Sequence, residues 1–244
     1  MDSNVQFAIL PTLFSARERR RGWVLSIISA LCHAFSRCPE MFLFIPLLII
    51  FNAPVVVGST FHSMIFQADA VRHGEWWRLF THPFVHVTWY HLLLDGTACA
   101  ALYGSLMGAS VFRRVTYIIA GAAGSLALSW AGAPGIATSG LCGLSGIAHG
   151  LMAVSALEMI STNPPGSAEH RIGWISFLLV VAKAAFEAVS GRMFFAFLDF
   201  GLLGSPVAVS HAGGIIGCLA AVFVLSRAPN GPRPNLRAPV PLPT

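Results

Sequence analysis

The chain has 244 residues, of which 55% are hydrophobic and only 10% charged, and its mean hydropathy is +0.71. Soluble domains carry about 25% charged residues, so this composition excludes an ordinary soluble domain and indicates an integral membrane protein. The net charge of +5 is accounted for by lipid headgroups and insertion bias and calls for no nucleic acid.

In chain order, a basic segment with Arg17, Arg19, Arg20 and Arg21 precedes "GWVLSIISALCHAF" (23–36). About 14 apolar residues are too few to span a bilayer, so this stretch predicts an interfacial helix anchored by the arginines, a cleaved signal peptide being the alternative. Residues 1–39 thus read as a cytoplasmic N-terminus. Six longer apolar runs follow: 41–58, about 84–108, 115–133, one from the serine motif at 140–150 to about 160, 172–189 and 206–226. Spanning needs roughly 20 apolar residues per helix. The prediction is an all-α membrane protein with six transmembrane helices over residues 40–227. The Pro-rich end, residues 228–244, reads as a disordered cytoplasmic tail.

Orientation follows from the positive charges. With both termini cytoplasmic, eleven arginines, among them Arg113, Arg114 and Arg171, fall inside, and only Arg72, Arg78 and Arg192 outside. The five cysteines (32, 38, 99, 142 and 218) form no CxxC pair and read as small packing residues.

Ionisable groups inside spans are costly, so they are candidates for function. "HLLLDG" puts His91 and Asp95 one helical turn apart on one face, with His86 just before them. "GLCGLSGIAHG" (140–150) sets Ser145 among glycines, with His149 a turn later, and "SHAGG" carries His211. In the orientation above, these groups all lie in the outward halves of their spans, as a shared wet cavity requires. A lone serine in such a helix usually packs or bonds the preceding turn. Gly213 and Gly217, spaced as GxxxG, read as close helix packing, which lets His211 approach another helix. Lys183 and Glu187 read as an i,i+4 structural pair.

Together these residues make an acyl-transfer site. A serine hydroxyl needs a base. His211 is preferred over His149, because a base on the serine's own helix would crowd the substrate. The loop of Gly143 and Leu144 brings Ser145 to a helix N-terminus, whose free N–H groups and dipole favour an oxyanion; His91 adds a donor.

The order "EWWRLFTHPFVHVTWYHLLLDG", "GLSG", "SHAGG" resembles the rhomboid intramembrane serine proteases over about 150 residues. The resemblance implies a six-transmembrane-helix rhomboid-like bundle with Ser145 as nucleophile and His211 as base. It further implies His91 in the oxyanion hole, His86 as a support, and Trp77 and Arg78 in an outer loop that shapes lateral substrate entry. Two positions differ from the usual pattern. Asp95 stands where asparagine is common, and is expected to accept a hydrogen bond and hold His91 as a charged donor, or else to be protonated. His149 stands where an aromatic residue packs on the catalytic histidine, and can stack in its place. "GLSGxxHG", the short loop and the Lys183–Glu187 pair are similar to the rhombosortase branch. That resemblance implies a bacterial inner-membrane enzyme that processes transmembrane C-terminal tails of exported proteins.

Two other readings compete. A catalytically inactive rhomboid-like protein that binds and routes membrane clients is favoured by Asp95 and opposed by Ser145 and His211. Metal or haem ligation by His86, His91, His149 and Asp95 has no CxxC or HExxH to support it. The expectation is therefore an enzyme without metal or cofactor.

Overall fold

The computed structural model describes residues 38–106, 108–133, 135–195, 197 and 207–227. The stretch at 23–36 and the tail at 228–244 lie outside the described residues. The chain divides into two units, Met1–Pro39 and Glu40–Thr244, and every described helix belongs to the second.

Each of the six apolar runs carries a long helix: α1 (Met41–Asn52), α2 (Trp89–Ser105), α3 (Val111–Gly132), α4 (Ser145–Thr162), α5 (Ala168–Ser190) and α6 (Val209–Arg227). Without water to bond, backbone in lipid must satisfy its own N–H and C=O groups, and helices do this within one segment. By length and composition α3, α5 and α6 can cross a membrane, while α1 is apolar but shorter. The polar residues of α2 and α4, among them His91, Asp95, Ser145 and His149, dilute the apolar character of those two helices. The protein is all-helical among the described residues, with a single isolated bridge between Phe66 and Leu141.

Local chemistry sets the helix starts. The hydroxyls of Thr88, Ser110 and Ser167 accept from the backbone N–H three residues on, capping α2, α3 and α5. Helix α2 begins at Trp89 rather than near 84. Pro83 sits in a 3-10 turn (His82–Phe84), Val85 beyond it is extended, and Thr88, extended too, caps the helix that starts after it.

Glycine decides how closely the helices approach. On α6, an added Cβ at Gly214 would collide with the backbone carbonyl of Gly146 on α4. At Gly213 it would strike the carbonyl of Gly124 on α3, and at Gly217 that of Ala120. The GxxxG face therefore does what its spacing predicts: it seats α6 backbone-to-backbone between α3 and α4.

One end of the bundle is tied by charge. Arg114, fully buried at the start of α3, donates from Nε to Glu40 at 2.6 Å, and Tyr103 at the end of α2 also donates to Glu40. The opposite ends of α2, α4, α5 and α6 hold a different polar cluster.

Candidate active site

Ser145 is the first residue of α4. The loop before it is pinned on both sides. Phe66 and Leu141 exchange backbone hydrogen bonds at 3.0 Å, and the N–H of Gly143 donates to the carbonyl of His82 at 3.1 Å. Gly143 has φ +98°, and an added Cβ would stand 2.8 Å from Asp95 Oδ2 and 2.9 Å from His91 Nε2. Only glycine both takes that conformation and leaves room for the two side chains. Fully buried Leu144 is the N-cap of α4, and no side chain caps this helix. Its first N–H groups therefore remain available, at the positive end of an 18-residue helix dipole.

The loop His82 belongs to is equally tight. His82 is buried, its Nδ1–H donates to the carbonyl of Arg78 at 3.2 Å, and burial pushes its imidazole down from 6.5 to about 4. Arg78 is also buried and donates to Glu75 and to the carbonyls of His62 and Ile65. Because folded His82 resists a proton that the unfolded chain accepts below 6.5, stability falls as pH drops from 6.5 towards 4. The slope is at most about 1.4 kcal/mol per pH unit. Thermal unfolding in detergent is expected to show this slope in the wild type, and a flatter one in His82→Gln.

Ser145, His211, His91, Asp95, His149 and Lys183 border one cavity of about 320 Å³. The structure thus gathers residues from α2, α4, α5 and α6, although no direct hydrogen bond joins Ser145 to His211 among the described contacts. His86 lies behind this wall, completely buried, its ring centroid 4.9 Å from that of His91. Asn52 holds it there. The amide Nδ2 donates to the carbonyls of Leu48 and Phe84, and Oδ1 accepts from the His86 backbone N–H at 2.9 Å and from Nδ1–H at 3.1 Å.

Asp95 Oδ2 is the meeting point of two imidazoles, 3.2 Å from His91 Nε2 and 3.6 Å from His86 Nε2. Neither contact is a hydrogen bond, and Asp95 Oδ2, His86 Nε2 and His91 Nδ1 are buried atoms without a hydrogen-bond partner. The hydrogen bond expected between His91 and Asp95 is not formed; the two side chains stand close, with His86 facing the same oxygen.

On the far wall, His149 stacks on His211 with centroids 3.9 Å apart and planes within 12°. His149 Nδ1–H donates to the Ser145 carbonyl at 2.7 Å, and Lys183 Nζ donates to His149 Nε2 at 2.8 Å. Glu187, fully buried, receives Lys183 Nζ at 2.7 and 2.8 Å, the Phe194 N–H at 2.9 Å and His211 Nδ1–H at 2.6 Å.

Residues 73–228, about two thirds of the chain, match the family profile described as Rhomboid domain. The chain belongs to the rhomboid family. Neither the curated proteins nor the solved structures yield a match. Rhomboids are in general intramembrane serine proteases, and the matched segment contains every residue that borders the cavity from α2, α4, α5 and α6.

Around the cavity of this rhomboid, two partners were not legible in the sequence. Glu187 pairs with Lys183 as its spacing predicts, but also reaches His211, 24 residues away. Asn52 meets His86 across 34 residues. The only sequence signal for either was an uncharged or charged polar group inside an apolar run. Of the cysteines, Cys38, Cys99 and Cys218 are buried as expected of packing residues, whereas Cys142 borders the cavity. Among the described residues, His149, Glu187 and His211 could jointly hold a metal, with ligand atoms within 4.8 Å of one another. This differs from the set His86, His91, His149 and Asp95 considered above, and Lys183 Nζ already bonds two of its three members.

Proposed function

We propose that this rhomboid cleaves the transmembrane C-terminal tails of exported proteins, as a rhombosortase-like enzyme with Ser145 and His211 as its catalytic pair. The observation that carries the reading is the cavity at one end of the bundle, which both residues border inside the Rhomboid match. Six spans, cytoplasmic termini and a bacterial inner membrane complete the proposal, on the charge bias of the loops.

In the reaction, His211 Nε2 takes the proton of Ser145 Oγ as that oxygen bonds the scissile carbonyl carbon. Contact between the two tightens when substrate fills the cavity. The carbonyl oxygen gains negative charge beside the N–H groups at the start of α4, with His91 as a further donor. His211 then protonates the leaving amine as the C–N bond breaks, leaving an acyl-enzyme. Water, deprotonated by His211, then attacks the acyl carbon; as the ester C–O bond breaks, His211 returns the proton to Ser145 Oγ and the new carboxyl end is released. No metal or cofactor enters any step. His86 and Asp95 hold His91, and His149 supports His211 by stacking.

The test is a reporter protein ending in a single apolar span, reconstituted with the enzyme in vesicles. Wild type is expected to shorten the reporter and Ser145→Ala to leave it intact. Equal processing by both, or by neither in folded protein, would overturn the assignment.

Asp95 favours a second reading, a client-binding rhomboid without activity, because a carboxylate near the oxyanion repels developing charge. The test that separates the two acts on the groups around Oδ2. His86 Nδ1–H is committed to Asn52, so a neutral His86 turns only the lone pair of Nε2 towards Asp95 Oδ2, 3.6 Å away. An amide at position 95 can donate there, so Asp95→Asn is expected to keep or raise reporter turnover. A fall of tenfold or more would show that the charge itself is required.

A further inference from the structure

We propose that Glu187 is a positioning residue that extends the Ser145–His211 pair to a triad, with Lys183 as its built-in counter-ion. This rests on the catalytic reading of Ser145 and His211.

The argument is one of proton counting. An ionised carboxylate only accepts hydrogen bonds. With His211 Nδ1 2.6 Å from Glu187 Oε2, Nδ1 must carry the hydrogen. A neutral His211 then has its lone pair on Nε2, the nitrogen left to meet Ser145. Without that acceptor the ring is free to adopt the other tautomer, which cannot take the serine's proton.

Lys183 supplies three donors and finds three acceptors: both oxygens of Glu187 and Nε2 of His149. Its charge balances the fully buried carboxylate, which with the Phe194 N–H has every lone pair directed at a donor. A buried carboxylate is tolerated only when satisfied in this way. The third bond also fixes His149. That ring gives Nδ1–H to the Ser145 carbonyl and receives Lys183 on Nε2, so it is neutral. A neutral ring 3.9 Å above His211 adds no second positive charge against the imidazolium that forms during catalysis. The network therefore closes on itself, from the serine's own carbonyl through His149, Lys183 and Glu187 to the base.

The experiment uses the full chain in detergent, with histidine nitrogens isotopically labelled, and a fluorophosphonate probe. In wild type, the nitrogen spectrum is expected to show His211 protonated at Nδ1. In Glu187→Gln, the amide can donate to Nδ1 instead, so the proton moves to Nε2 and the labelling rate of Ser145 falls by about 10²- to 10⁴-fold. If Glu187→Gln does not fold beside an uncompensated Lys183, the double variant Lys183→Met/Glu187→Gln removes both charges and is expected to give the same two changes. An unchanged tautomer and rate in the folded variant, with wild type still labelled at Ser145, would overturn the role of Glu187 alone. Equal labelling of wild type and Ser145→Ala would instead overturn the underlying catalytic reading, while the tautomer still reports on Glu187.

Discussion

Replacing His211 with alanine is expected to slow acylation of Ser145 by about 10⁴-fold or more, at nearly unchanged affinity for a transmembrane tail. In the proposed mechanism the loss is in the rate, because the base contributes only as the proton leaves Oγ, while the cavity walls proposed to take the tail stay in place. Residues that act as a unit also lose their effect together. The double variant Ser145→Ala/His211→Ala is therefore expected to be no slower than the worse of the two single variants. Rates of reporter shortening in vesicles at saturating substrate, set against those at low substrate, separate the two effects. A His211→Ala enzyme within tenfold of wild type would remove His211 from the chemistry.

The second large effect is on the fold. Gly214→Val is expected to destabilise the bundle by about 3 kcal/mol or more, at the top of the range for overpacking, and to abolish activity with it. The cause is the identity of the colliding atom. At many crowded sites a flexible side chain can swing away, but here the obstacle is the backbone carbonyl of Gly146. Relief requires α6 to withdraw from α4, the helix that begins at Ser145. The same step would carry His211 away from the cavity. Ala at Gly108, where an added Cβ meets nothing within 4 Å, is the matched control and is expected to be neutral. Thermal unfolding in detergent reads both, and equal melting temperatures for Gly214→Val and wild type would refute the close-packed seat of α6.

Much of the architecture is legible because membrane helices obey few rules. Every apolar run became a helix, since lipid offers the backbone no other partner, and the capping residues Thr88, Ser110 and Ser167 mark three of the starts. The glycines at 213 and 217 announce a close approach before any partner is known. What composition could not yield is the number of these helices that cross the bilayer, for three satisfy length and apolarity and the rest do not. At the site, the residues that gather around the cavity were visible as polar intrusions in apolar segments. The roles of Glu187 and Asn52 were not. An i,i+4 neighbour such as Lys183 can be read along one helix, whereas His211 meets Glu187 only after α5 and α6 have packed together. Asn52 likewise looks like the polar end of α1 until its amide is seen bridging to the segment that carries His86.

The most direct measurement is the position of a covalent adduct. Purified full-length protein in detergent is treated with a fluorophosphonate, digested and mapped by mass spectrometry. The account predicts one modified residue, Ser145, and no modification in Ser145→Ala. Modification at another side chain, or the same extent of labelling after Ser145 is replaced, would contradict it.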